Sequence, residues 1–96
     1  MQHHVIVKFN DLVKDKVAFA NEIGNLYKGM EGTVPGIHKV SYHKNCINMS
    51  NRYDLMVIVD MDKDALDAYS NSPIHDKWLK EYPQFLESKV IMDYED

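Results

Sequence analysis

Residues 3–9, HHVIVKF, divide into two rows of alternate positions. Val5, Val7 and Phe9 fall on one face with His3; His4, Ile6 and Lys8 fall on the other, which predicts a strand. From residue 14 the spacing changes. Val13, Val17, Ala20, Gly24, Tyr27 and Met30 recur every three or four positions, the stripe of a helix over 14–30. Gly24 inside that helix disfavours it by about 1 kcal/mol relative to alanine, and its missing side chain permits close packing on a sheet. Gly29 and Gly32 stop the helix, and Val34-Pro35-Gly36 is a turn.

A second strand runs from about Ile37 to His43 with imperfect alternation. Val40 and Tyr42 share a face and Ile37 is out of phase, so a bulge or early bend is expected. Residues 44–52 are polar and read as a loop. The third strand, 53–61, is apolar at every position from Leu55 to Val59, so both of its faces expect a cover. A chain this short lacks helices for both faces, and another subunit is the simplest source of the second. Asp60 or Asp62 caps a helix over about 63–70, with Leu66 and Tyr69 inward. A short helix follows from Pro73 to about Tyr82, with Ile74, Trp78, Leu79 and Tyr82 on its apolar side. The last strand spans 87–94, with Val90, Met92 and Tyr94 on one face and Lys89, Ile91 and Asp93 on the other.

The order strand, helix, strand, strand, broken helix, strand predicts an α+β fold. It is the ferredoxin-like four-stranded antiparallel sheet with helices on one face. Ile6, Met56 and Ile58 on the other face call for a partner. Two such sheets face to face form a homodimeric α/β barrel.

Composition changes this picture little. The 96 residues make one domain. A domain of this size buries only roughly 60–70% of its unfolded surface, and dimerisation adds to its stability. The net charge of −4 with no basic run argues against a nucleic-acid partner. The single cysteine, Cys46, excludes an internal disulfide and fits a reducing compartment. The N-terminus runs straight into a strand pattern without a signal peptide, and no apolar run approaches the ~20 residues of a membrane span. A cytoplasmic protein with no membrane contact is expected.

Chemistry concentrates in YSNSPIHDKW, residues 69–78. Asn71 and Ser72 break a helix. Ser72-Pro73 starts another, with serine at the N-cap and proline at the first helical position. His75 is then third in the new helix, near the positive end of the dipole, which disfavours its protonated form. A neutral imidazole accepts protons at pH 7. Tyr69 lies across the break, and the two side chains can converge from two helix ends. The plain alternative is a packed tyrosine and an exposed or capped histidine.

Five segments together resemble the stress-responsive A/B barrel domain (Dabb) family: HHVIVKF at 3–9, VPGIHKVSY at 34–42, RYDLMVIVDM at 52–61, DAYSNSPIHDKWL at 67–79 and VIMDY at 90–94. The resemblance implies the ferredoxin-like homodimer reached above. The family is similar in part to a plant polyketide cyclase that closes a ring by aldol condensation in a pocket between sheet and helices. Carried over by position, the catalytic pair falls on Tyr69 and His75, and a further pocket histidine on His3. The acid that orients the catalytic histidine falls on Asp93. Leu55 stands where the cyclase has a pocket histidine, and Ser72 replaces the first histidine of the family's HPxH.

An enolisation or aldol step needs a base for an acidic C–H and a donor for the enolate oxygen. His75 and Tyr69 supply these roles. His3 takes a polar end of the ligand, and Val5, Leu55, Val57 and Trp78 form the apolar wall. No metal or organic cofactor is required. His3-His4 point to opposite strand faces and His75-Asp76 diverge on a helix, so neither pair chelates one ion. No glycine-rich loop precedes a helix to hold phosphate. Three functions follow: a small-molecule pocket for an apolar carbonyl or carboxylate ligand, a non-catalytic dimeric stress-related module, or a cofactor-independent monooxygenase or haem-degrading relative. The third lacks that group's asparagine–tryptophan pattern in register.

Overall fold

A strand pairs on each side of β1 (Gln2–Phe9), and its burial alternates: His3, Val5, Val7 and Phe9 are buried, and the residues between them are half-covered. The computed structural model describes residues 1–95. After β1 come α1 (Lys16–Lys28), β2 (Ile37–Lys44) and β3 (Leu55–Met61). A single 3₁₀ turn (Lys63–Ala65) leads into α2 (Leu66–Ser70). Then follow α3 (Pro73–Glu81), a second 3₁₀ turn (Pro83–Phe85) and β4 (Leu86–Tyr94). The sheet order is β2-β3-β1-β4, with each neighbouring pair antiparallel. This is the expected ferredoxin-like arrangement. None of the described helices is long and apolar enough to cross a membrane.

The core lies between the sheet and the helices. From the sheet it takes Val5, Val7, Val40, Leu55, Val57 and Val59; from α1 it takes Ala20, Ile23 and Tyr27. Asp15 caps α1 by accepting from the Ala18 N–H at 3.0 Å. Gly24 faces the sheet as its bare backbone suggests: a Cβ there would lie 2.4 Å from the Tyr42 ring. The anticipated bulge in β2 occurs between Ile37 and Lys39, where the register slips against β3.

Several apolar positions lie elsewhere than periodicity places them. Val17 is 57% exposed. It sits one turn before Ala20, where α1 borders an open cleft formed with the β2–β3 loop. Ile23 takes the buried place the stripe omitted. Leu66 and Leu79 are exposed because α2 and α3 are short and present one narrow line each, Tyr69 on the first and Trp78 on the second. Asp62 precedes the 3₁₀ turn without a side-chain capping bond, because its carboxylate accepts from His38 Nε2 at 2.7 Å.

On the open face Ile6 stands between Met56 of β3 and Val90 of β4, and His4 between Ile58 and Met92. These apolar side chains form one band across three strands. No helix covers it.

Candidate functional site

Ser72 sets the geometry of the break between α2 and α3. Its Oγ donates to the Tyr69 carbonyl at 2.8 Å and accepts from the His75 N–H at 3.2 Å. Pro73 follows at the first helical position, where a missing N–H leaves nothing unpaired. One buried hydroxyl thus ties the end of one helix to the start of the next, and the rings of Tyr69 and His75 meet at 4.8 Å.

On its other side the Tyr69 ring meets His3 edge to face, also at 4.8 Å. His3 reaches this point from β1, so three elements bring one phenol and two imidazoles together. The Tyr69 hydroxyl lies 3.0 Å from that of Tyr27 on α1, and both are buried. Burial pushes the Tyr69 pKa up to about 12. Burial and the neighbouring phenol hold Tyr27 well above the usual tyrosine value. Both are neutral near pH 7. One hydrogen bond between two hydroxyls uses one of two protons, so the pair retains a donor for a third group.

The two histidines are held differently. His75 Nδ1 lies 3.1 Å from the Ser70 carbonyl. A carbonyl only accepts, so Nδ1 carries the proton and Nε2 keeps a lone pair when the ring is neutral. Partial burial lowers the His75 pKa; the Ser70 carbonyl pulls it the other way, and nearby Lys89 and His3 lower it further.

His3 Nδ1 hydrogen-bonds the Asp93 carboxylate. This corrects the expected pairing of Asp93 with His75. His3 and Asp93 stand directly opposite in the β1–β4 ladder, on the same face, so register alone brings them together. A carboxylate accepts, so the Nδ1 proton points to Asp93 and Nε2 is the free nitrogen. That Nε2 is buried and has no hydrogen-bond partner among the described residues. An unsatisfied buried polar atom disfavours the fold by about 1–3 kcal/mol. This atom faces inward at the one point where the aromatic cluster and the acid meet.

The flank beside β4 is open. Lys89 and Ile91 share the face of Asp93, yet no helix covers them, and Ile91 is 52% exposed. Val5, Val57 and Trp78 are nearly fully buried. Their surfaces are taken up by core packing, with Trp78 set edge-on to Tyr27 at 5.6 Å. Leu55 is not brought to the site. His3 pairs with Val59 and Leu55 with Val7, four residues along the strand, or about 13 Å. A hollow of about 430 Å³ adjoins the far side of the break, between Val34, Pro35, Ala68, Pro73 and Ile74, with Ser72 on its wall. Among the described residues no three His, Cys, Asp or Glu side chains are grouped to hold a metal ion.

Tyr27 is the residue that sequence reasoning assigned only to the core. Its signal was available: a phenol on an apolar stripe facing the core needs a partner for its hydroxyl.

A family model for the stress responsive A/B barrel domain matches residues 1–96. The chain belongs to the Dabb family. Solved structures similar to this Dabb domain include a dimeric protein of unknown function from Bacteroides fragilis. It is 21% identical, has a TM-score of 0.81, and the match covers 99% of this chain and 94% of that one. A dimeric ferredoxin-like protein of unknown function from Thermobifida fusca is also 21% identical, with a TM-score of 0.78 over 97% and 87% of the two chains. A hydroxynitrile lyase from Passiflora edulis is 13% identical, with a TM-score of 0.75 over 97% and 89%. At these identities the likeness is one of fold. No protein of curated function matches the sequence significantly.

Proposed function

We propose that this Dabb domain is a homodimer with a small-molecule site where His3, Tyr69 and His75 meet. Its ligand is apolar and carries a carbonyl or carboxylate. The observation that supports this reading is the buried, unpartnered His3 Nε2 beside two aromatic rings. A ligand atom seated there would satisfy it, and the open flank along β4 gives a way in.

The chemistry suited to such a site is acid–base and needs no cofactor. A neutral imidazole nitrogen takes a proton from carbon next to the ligand carbonyl, and a tyrosine O–H hydrogen-bonds the oxygen on which negative charge develops. His75 is the base, since its Nε2 lone pair is free and its lowered pKa keeps it neutral. Tyr69, with Tyr27 behind it, is the donor. His3, fixed by Asp93, orients the polar end of the ligand. One neighbour in fold is a hydroxynitrile lyase, so the architecture accommodates catalysis. The open sheet face serves dimerisation, as its apolar band and the dimeric similar proteins suggest. The setting is cytoplasmic and stress-related.

A second reading rests on the Tyr27–Tyr69 hydroxyl pair. It makes the cluster a pin between α1 and α2 in a non-catalytic dimeric module. Thermal melting of wild type and His75→Ala with a panel of apolar ketones, aldehydes and carboxylates separates the two. The ligand reading expects compounds that raise the wild-type Tm, with the effect lost in His75→Ala while the sedimenting dimer persists. If no compound moves the wild type and the substitution only lowers its Tm, the cluster is a pin.

A further inference from the structure

At the other end of the sheet the β2–β3 connection folds back toward the start of α1. With the ends of β1 and β2 it encloses a cleft of about 580 Å³. This is the size of a small-molecule site. It is remote from His3: the strand pairs at this end are Val7 with Leu55 and Lys44 with Leu55, whereas His3 pairs with Val59.

The cleft inverts the charge of the chain. The protein carries −4 overall, yet the lining holds Lys8, Lys16, Lys44 and Arg52 against one carboxylate, Asp54. Part of that charge is already answered. Asp54 accepts from the Phe9 N–H at 2.7 Å and lies 3.6 Å from Lys16 Nζ. Lys8 donates to the Ser50 carbonyl and stands 3.3 Å from Glu87. Arg52 donates to the neutral amide oxygen of Asn51 at 2.7 Å. Among the described residues neither Lys44 nor Arg52 has a carboxylate within salt-bridge range. Between these cations lie Val17, Ile47 and Met49, all about half exposed.

Two free cations around an apolar floor match one kind of molecule. An anionic head would be held by Lys44 and Arg52, and an apolar chain would cover Val17, Ile47 and Met49. We propose that this cleft binds a small amphipathic anion, a carboxylate or phosphate monoester on an alkyl chain. The concave, two-sided lining favours a free molecule over a flat lipid surface. The proposal is independent of the reading given to His3, Tyr69 and His75.

The test uses the ¹⁵N-labelled full chain titrated with octanoate and octyl phosphate. Octanol and octyltrimethylammonium serve as uncharged and cationic controls. The expected result is saturable shifts of backbone amides in residues 16–20 and 44–54. Apparent affinity should fall at least tenfold in the double variant Lys44→Gln/Arg52→Gln, whose side chains are exposed and outside the core. It should also weaken as salt rises from about 0.05 to 0.5 M, as an exposed ion contact does. The proposal is overturned by an absence of saturable shifts, by equal shifts with octanol, or by unchanged binding in the double variant. Shifts confined to the surroundings of His3, Tyr69 and His75 also overturn it, and locate the anion at that site instead. Lysine- and arginine-dependent binding only to phosphatidylserine vesicles assigns the patch to a membrane surface and rejects the free ligand.

Discussion

Two tyrosines lie over the helix-covered face of the sheet, and they are accommodated in opposite ways. Tyr42 spreads its ring on the bare backbone of Gly24 and keeps its hydroxyl at the edge, 3.4 Å from Asn21 and Asn25. Tyr69 drives its hydroxyl into the interior, where it meets another phenol, while its ring lies 4.8 Å from that of His3, whose Nε2 has no partner among the described residues. The first contact needs one glycine and leaves no polar atom stranded. The second collects titratable groups in a place where packing alone would favour leucine or phenylalanine. Packing explains Tyr42; Tyr69 and its neighbours ask for something further.

The largest expected effect belongs to the first tyrosine. Gly24→Val pushes new carbon into the Tyr42 ring and should destabilise the fold by about 3 kcal/mol. At roughly 4–8 °C per kcal/mol, thermal melting reads this easily. Adding Tyr42→Ala should recover part of the loss; full additivity of the two changes would show that the contact is not the cause. The second tyrosine gives a smaller effect of different form. Tyr27→Phe or Tyr69→Phe alone strands one hydroxyl and should lower stability by about 1–3 kcal/mol, while the double phenylalanine variant should lie above the sum of the singles. Equal and additive losses in denaturant unfolding would remove the hydroxyl pair from the account. Ser72→Ala removes the cap of α3 together with the bond to Tyr69, for about 1 kcal/mol. If helix-end tethering is the reason that Tyr69 and His75 meet, the ring-current shift of their protons should change as well.

The smallest effect is a slope against pH. The folded pKa of His75 is lowered, so below the unfolded value of about 6.5 the unfolded chain binds more protons and stability falls as the solution is acidified. His38 works the other way. Its pKa is raised by the Asp62 hydrogen bond, so its contribution is present in acid and is lost as pH rises through that raised value. Urea melts between pH 5 and 8 should show a shallower acid-side loss in His75→Asn and a steeper one in His38→Asn. The same slope in both variants would refute the assignment.

The fold was legible because the two-residue period of β1, the unbroken apolar run of β3 and the apolar stripe of α1 are strong signals, and the VPG turn and Ser72-Pro73 punctuate them. Ser72 as cap and His75 as third helical residue follow from local chemistry, and local chemistry is what a sequence displays best. Leu55 and Asp93 show the limit. Periodicity assigns a residue to a face, but the register between strands decides what lies beside it. That register brought Asp93 to His3 and left Leu55 at the other end of β3. Tyr27 was visible as a buried position but not as a partner, because the approach of α1 to α2 depends on how short helices stack.

The hydrogen bond from His3 to Asp93 joins positions 90 residues apart. Closing so long a chain segment carries an entropic penalty that local helices and the β2–β3 hairpin do not face, and such contacts form late. The His3 ring is therefore a natural reporter of completion: its Nδ1 proton resonance should sharpen only when β4 has docked.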